Sequence, residues 1–136
     1  MVHTQATIAI VDDEPSVRRA LGRLVGSLGL RAELFAGGEE LLARLGDDES
    51  FQPDCVLLDM HMPGVSGLEV QQQLRQAGRS QPVVFVTADE RADQWRRALA
   101  ADGVSVLSKP VTADLLFRTM RDAGVSWLDS PIAEGT

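Results

Sequence analysis

The sequence has 136 residues, 44% of them apolar, and a formal net charge of −7. This length predicts one domain with its own hydrophobic core, and the acidic balance argues against direct contact with nucleic acid. No apolar stretch is long enough to cross a membrane and no signal-peptide pattern opens the chain, so we expect a cytoplasmic protein without membrane contact.

Short apolar segments alternate with segments of helical periodicity along the chain. Predicted strands occupy residues 6–11, 31–35, 55–58, 82–86 and 104–107. Predicted helices run from Pro15 to Leu28, from the residue after Gly38 to a polar loop at 46–53, from Gly67 to Ala77, from Ala92 to Ala101, and onward from the candidate N-cap Thr112. This alternation predicts an α/β fold, a doubly wound five-stranded parallel sheet with five helices on its two faces.

The central strand ends on an acidic residue. The apolar run from Cys55 to Leu58 is bounded by Pro53 and Pro63 and stops at Asp59, as expected for a buried strand of a parallel sheet. A carboxylate at that end lies where α/β proteins bind ligands. Taken alone, such an aspartate more often only begins a turn, so its interpretation depends on the other strand ends.

The other strand ends carry Asp12 and Asp13, Thr87, and Lys109. The carboxyl ends of parallel strands share one edge, so these side chains are expected to meet Asp59 there. Three carboxylates would repel one another, and Lys109 together with a hard cation such as Mg²⁺ would offset them. That combination suits phosphoryl chemistry, with one carboxylate as the nucleophile that forms an aspartyl phosphate.

Together these motifs resemble the receiver domains of two-component response regulators. The resemblance covers roughly residues 6–122 and implies the flavodoxin-like receiver fold. The stretch Asp-Met-His-Met-Pro-Gly-Val-Ser-Gly is similar to the FixJ-like transcriptional regulators. The motifs that carry the resemblance are Val11-Asp12-Asp13-Glu14, the run from Leu57 to Gly64, Val86-Thr87-Ala88 and Lys109-Pro110.

The resemblance implies a phosphoacceptor and a metal site. Asp59 would accept a phosphoryl group from the phosphohistidine of a sensor histidine kinase or of a phosphotransfer protein. Asp13, Asp59 and the backbone carbonyl of His61 would bind Mg²⁺ or Mn²⁺ directly, and Asp12 would act through a water.

The resemblance also assigns the residues around the phosphoryl group. Thr87 and Lys109 would contact it, with Thr87 as the switch hydroxyl and the small Ala88 beside it. The side chains of His61 and Asp89 would modulate hydrolysis of the acyl phosphate. The domain would turn this chemistry into a change of surface, and it would not be an enzyme beyond its own phosphotransfer and dephosphorylation.

The sequence departs from the family at the fifth strand. Receivers usually carry Tyr or Phe three residues before the lysine, where this chain has Val106. Valine is stiff and has no ring to rotate, which puts ring-coupled signalling in doubt although not phosphorylation. The turn before this strand reads Ala101-Asp102-Gly103, and Asp102 is expected to tolerate a left-handed conformation there.

The fourth helix, fifth strand and fifth helix usually form the output or dimerisation face of a receiver, so a homodimer through this face is a candidate assembly. Trp95 falls on the fourth helix and leaves two interpretations open. It is either an exposed anchor for a partner or a ring packed beside Ala92 and Leu99 at helical spacing.

The sequence therefore predicts a receiver domain at residues 1–124, followed by a tail or the start of a linker at 125–136. Two alternatives stay open. One is a phosphorylation-independent adaptor whose switch is partly degenerate at Val106. The other is a Mg²⁺-dependent phosphatase or phosphotransferase acting on small molecules, although no insertion is long enough to form the substrate-enclosing cap that such enzymes generally need.

Overall fold

The computed structural model describes residues 6–125, which form one parallel sheet of five strands with helices on both faces. The strands are β1 (Thr7–Val11), β2 (Arg31–Phe35), β3 (Cys55–Asp59), β4 (Val83–Thr87) and β5 (Ser105–Ser108). The helices are α1 (Pro15–Ser27), α2 (Gly38–Asp47), α3 (Gly67–Gln76), α4 (Ala92–Leu99) and α5 (Ala113–Asp122). The strand order β2-β1-β3-β4-β5 confirms the predicted doubly wound fold.

Two hydrophobic layers cover the sheet because successive strand residues point to opposite faces. On β1, Ile8 and Ile10 pack with the residues that α1 and α5 bury, whereas Ala9 and Val11 pack with those of α2, α3 and α4. Every residue of β3 is buried, including Cys55, as expected for the central strand of a parallel sheet.

Several predicted boundaries differ from the structure by one or two residues. Strands β4 and β5 begin and end one residue later than predicted, and α2 continues to Asp47, into the predicted polar loop. The fourth helix does not reach Ala101, because α4 ends at Leu99 and a 3₁₀ turn follows over Ala100–Asp102.

The conformation of the turn before β5 corrects one expectation. Gly103, and not Asp102, adopts the left-handed conformation, with φ of 70°. Glycine has no Cβ and takes this conformation without strain, so Asp102 is left in the 3₁₀ turn, where it forms an ion pair with Arg75.

Two helix starts are fixed by side-chain caps. Ser66 and Glu69 form a reciprocal capping box at the start of α3. The predicted N-cap Thr112 is confirmed, since its hydroxyl accepts a hydrogen bond from the backbone N–H of Leu115. These caps fix the first residues of α3 and α5, which are the helices that follow Asp59 and Lys109 in the chain.

Parallel pairing brings the predicted site residues to one edge of the sheet. Asp59 of β3 lies opposite Val86 of β4, and Thr87 lies opposite Ser108 of β5. At the other end of the domain, Val125 is buried in the core, and the remainder of the predicted tail lies outside the described residues. Within residues 6–125, no helix combines the length and the apolar character that crossing a bilayer requires.

Candidate functional site

Three carboxylates converge at the carboxyl ends of β1 and β3. Asp12 and Asp13 follow β1, Asp59 ends β3, and one carboxylate oxygen from each lies within 4.8 Å of the others. Asp12 and Asp59 are buried, whereas Asp13 is exposed. Hard carboxylate oxygens grouped in this way fit a divalent cation such as Mg²⁺, so these three residues could hold a metal.

Lys109 brings a positive charge into the carboxylate cluster from β5. Its Nζ lies 3.0 Å from Asp12 Oδ2 and 3.7 Å from Asp59 Oδ1. The backbone N–H of Lys109 donates to the carbonyl of Thr87 at 2.8 Å, which fixes the start of the loop after β5. One ammonium group thus faces two buried carboxylates, and Asp12 has the shorter contact with it.

The electrostatic balance of the site raises the pKa of Asp59 to about 6. Burial has the largest effect, and the negative charge of Asp12 adds to it. The charge of Lys109 and the backbone N–H of His61, 3.4 Å from Asp59 Oδ1, act in the opposite direction. Asp59 is therefore a carboxylate whose charge is only partly compensated by the protein.

The raised pKa of Asp59 predicts that Asp59→Asn stabilises the metal-free protein at pH 7. The pKa of Asp59 in the folded protein is above its unfolded-state value, so the ionised carboxylate destabilises the folded wild-type protein. This destabilisation is present above pH 6 and disappears as the pH falls toward 4. We expect the variant to gain on the order of 2 kcal/mol in free energy of unfolding at pH 7 and nothing near pH 4. Urea unfolding in a chelator at both pH values measures this difference, and an equal gain at both would contradict it.

Thr87 and Ala88 continue the site onto the end of β4. Thr87 is fully buried, and its Oγ1 accepts a hydrogen bond of 3.0 Å from the backbone N–H of Asp89. Ala88 is exposed beside it. The Thr87 hydroxyl, which the resemblance assigns to the switch, is thus hydrogen-bonded to the backbone of Asp89, which the resemblance assigns to hydrolysis.

A side-chain cluster surrounds the Asp89 carboxylate, formed with His61, Arg91 and Trp95 and called here the Asp89 corner. His61 Nε2 lies 2.9 Å from Asp89 Oδ2, and the indole Nε1–H of Trp95 donates to the same oxygen at 3.3 Å. Arg91 donates from Nη2 to Oδ2 at 2.9 Å and from Nε to Oδ1 at 3.1 Å. These hydrogen bonds hold the pKa of Asp89 well below its usual range, and those with Arg91 have the largest effect.

The structure resolves part of the question about Trp95. Its ring is partly buried against the core layer that includes Leu99, and it meets the imidazole of His61 edge-on at 6.3 Å between centroids. Packing is therefore the interpretation that the structure supports, and its use as a partner anchor stays a prediction.

Val106 is buried in β5, and an arginine that sequence reasoning missed contacts its backbone. Arg96 of α4 donates from Nε to the Val106 carbonyl at 2.8 Å and from Nη2 to Ser108 Oγ at 3.2 Å. The guanidinium thereby covers part of the edge of β5. Arginine is common at solvent-facing positions of a helix, so no sequence pattern predicted this contact.

Two further arginines near the site were also missed. Arg91 was not singled out, although its place two residues after Asp89 allows local carboxylate pairing. Arg18 of α1 donates to the backbone carbonyl of Asp12 at 2.8 Å. Helical periodicity does not show which backbone group such a side chain will meet, so the sequence did not predict this contact.

The geometry of this acidic site agrees with a known family. A family model described as the response regulator receiver domain matches residues 8–121. The chain belongs to the response regulator receiver family. Receivers are phosphorylated on an aspartate and act with histidine kinases in two-component systems, and they bind Mg²⁺ through an acidic pocket.

Individual relatives agree with this assignment. The sensor histidine kinase RcsC of Salmonella typhimurium is 40% identical over 113 residues, which are 83% of this chain and 12% of that protein. The response regulator protein TmoT of Ectopseudomonas mendocina is 32% identical over 119 residues, 88% of this chain and 53% of that protein. The receiver thus spans only a part of either relative.

A solved structure gives the same fold. The crystal structure of a response regulator receiver protein from Burkholderia phymatum is 40% identical and superposes with a TM-score of 0.77, covering 90% of this chain and 98% of that chain. The narrower FixJ-like grouping stays a prediction.

Proposed function

We propose that this receiver accepts a phosphoryl group on Asp59 from the phosphohistidine of a sensor histidine kinase or of a phosphotransfer protein. The observation that carries the proposal is the position of the Asp59 carboxylate, which lies 3.7 Å from Lys109 Nζ within a cluster of three acidic residues. Asp59 is 7% exposed and ends the central strand, so its carboxylate is fixed in place and still open to a donor.

The transfer needs an ionised nucleophile and a positive charge that balances the negative charge of the phosphoryl oxygens. With a pKa of about 6, most of Asp59 is ionised at neutral pH. One of its oxygens bonds to phosphorus, the bond between phosphorus and the imidazole nitrogen breaks, and the imidazole leaves with the electron pair. Lys109 Nζ, already near both carboxylates, is available to the phosphoryl oxygens that arrive there.

Asp12, Asp13 and Asp59 are the residues that would hold Mg²⁺ or Mn²⁺. The bound ion supplies positive charge against the phosphoryl oxygens. The partial compensation of Asp59 by Lys109 alone supports this assignment, because the cluster retains negative charge that a cation would balance. The direct role of the His61 carbonyl belongs to the same proposal.

A surface beside Lys109 supports a protein as the phosphodonor. An open groove of about 380 Å³ lies between α1 and the loop after β5, and its lining is mostly apolar. It includes Val17, Leu24 and Pro110 next to Lys109. A helical or loop segment of the donor would bury apolar surface there while its phosphohistidine faces Asp59. A cytoplasmic location and a homodimer through α4, β5 and α5 complete the proposal.

An adaptor that works without phosphorylation is the second candidate, and Val106 is the observation that favours it. Its side chain is buried in β5 and has no ring that could rotate between inward and outward positions. The complete set of carboxylates, lysine and threonine at the strand ends favours the phosphorylated switch over the adaptor.

Intact mass after incubation with Mg²⁺ and acetyl phosphate tests the proposed function. We expect one phosphoryl adduct on the wild-type chain, none with Asp59→Asn, and none when Mg²⁺ is chelated. Asp47→Asn is the matched control, since Asp47 is an exposed aspartate of α2, and it should form the adduct normally. A folded wild-type chain without an adduct under any donor or metal condition would leave the adaptor as the better account.

A further inference from the structure

The side chains of His61 and Asp89 form a bridge between two loops at the site. His61 lies in the loop after β3, two residues beyond Asp59, and Asp89 lies in the loop after β4, two residues beyond Thr87. Their contact of 2.9 Å therefore spans the ends of the two strands that carry the phosphoacceptor and the buried hydroxyl. Because an ionised carboxylate only accepts hydrogen bonds, the Nε2 of His61 carries the hydrogen.

Two residues at the start of α4 fix the carboxylate half of this bridge. Arg91 binds both oxygens of Asp89, and Trp95 donates its indole N–H to the oxygen that also meets His61. Trp95 is in turn packed, partly buried, against the core, and the guanidinium of Arg91 lies 5.7 Å from the centre of its ring. Asp89 is thus held in one orientation from the α4 side.

We propose that Arg91 and Trp95 are positioning residues for the phosphorylated site, which hold the bridge between His61 and Asp89 and so prolong the lifetime of the phosphoryl group on Asp59. The inference rests on the proposed function of Asp59. Both residues contact Asp89, and they would act on the phosphoryl group through it.

The reaction that the bridge slows is hydrolysis of the acyl phosphate. The oxygen of a water bonds to phosphorus, the bond from phosphorus to the Asp59 oxygen breaks, and the carboxylate leaves with the electron pair while a water proton passes to solvent. Phosphate is released. The bridge joins the two loops that follow Asp59 and Thr87, and the proposal is that it restricts the approach of water to the phosphorus from that side, so that loss of either positioning residue speeds hydrolysis.

The arrangement couples α4 to the chemistry. A ligand or partner that changes the orientation of Trp95 or Arg91 would therefore change the lifetime of the phosphoryl group. This coupling needs no ring at position 106, so it provides a route between the site and α4 in a chain with Val106.

The test compares decay of the Asp59 adduct after removal of acetyl phosphate, followed by intact mass in Mg²⁺. Trp95→Phe keeps the packed ring and loses the indole N–H, and Arg91→Gln removes the guanidinium. Each should shorten the half-life about three- to tenfold, the range expected for loss of one such hydrogen bond. Arg97→Gln makes the same charge change at an exposed position of α4 and should decay like the wild-type chain.

A double-variant cycle separates positioning from a general loosening of the fold. In a His61→Ala background the bridge is already gone, so Trp95→Phe should change the half-life by less than about 1.5-fold. An undiminished effect in that background, or a wild-type half-life for Trp95→Phe alone, would overturn the inference and leave Asp59 as the acceptor. A wild-type chain that forms no adduct would instead overturn the proposed function, and this inference with it.

Discussion

Gly67→Ala is expected to lower the free energy of unfolding by about 3 kcal/mol, because the first residue of α3 packs directly on the strand end that carries Asp59. A Cβ at Gly67 would lie 2.3 Å from the backbone oxygen of Asp59 and 3.0 Å from a ring carbon of Phe85. The nearest obstacle is backbone, which cannot rotate away as a side chain can. Denaturant unfolding of the two proteins measures the loss.

Gly26→Ala is the matched control for this substitution. Gly26 lies inside α1, and a Cβ there would meet nothing within 4 Å. Alanine favours helix more than glycine does, so this variant should gain about 0.5–1 kcal/mol. Equal stability of Gly67→Ala and the wild-type chain would mean that α3 does not approach β3 as closely as the structure has it. A lower free energy of unfolding for Gly67→Ala together with a higher one for Gly26→Ala would establish that α3 approaches β3 closely.

Sequence reasoning brought most of these residues together, because the topology of a parallel sheet decides which strand ends meet. A buried apolar strand that ends on a carboxylate can be recognised from a few residues, and a parallel sheet brings every such end to one edge. Asp12 and Lys109 are 97 residues apart in the sequence and form a contact of 3.0 Å. The prediction that their charges meet needed only the alternation of strands and helices, and the structure agrees.

The Asp89 corner was out of reach of the same reasoning. His61 and Asp89 were each assigned to hydrolysis from the resemblance, but their contact across 28 residues depends on how two loops fold. The bond from Trp95 to Asp89 depends on the rotamer of a ring on the first turns of α4. Periodicity shows which helix face turns inward and does not show which polar atom the edge of that face will meet.

The turn at Gly103 shows why local chemistry also misled. Aspartate and glycine are both tolerated in the left-handed region, so the triplet Ala101-Asp102-Gly103 allowed either to take it. The 3₁₀ turn after α4 moved the reversal one residue further along, to the glycine.

Lys109→Met is expected to destabilise the metal-free protein by about 3 kcal/mol at pH 8, the loss typical when one partner of a buried ion pair is removed. Methionine keeps most of the apolar stem and removes the charge that lies 3.0 Å from Asp12 Oδ2 and 3.7 Å from Asp59 Oδ1. The Asp12 side chain is 1% exposed, so its carboxylate would be left poorly hydrated without the ammonium group. Urea unfolding in a chelator gives the difference.

The pH dependence of this loss has a definite sign. Lys109 lowers the pKa of Asp59, so its removal raises that pKa above the value of about 6 in the wild-type protein. A carboxylate with a raised folded-state pKa destabilises the protein increasingly as the pH rises from the unfolded-state pKa to the folded-state pKa, and the loss is absent below the unfolded-state value. Lys109→Met should therefore be much less destabilised at pH 4 than at pH 8.

A second substitution distinguishes charge from packing as the cause. Asp12→Asn in the Lys109→Met background removes the carboxylate that the lysine compensated and should recover most of the stability lost at pH 8. If the loss came from the packing of the lysine stem, Asp12→Asn would recover nothing, and the loss would be the same at both pH values. Recovery would show that Lys109 stabilises the protein through its charge beside Asp12, the same charge that is proposed to act on a phosphoryl group at Asp59.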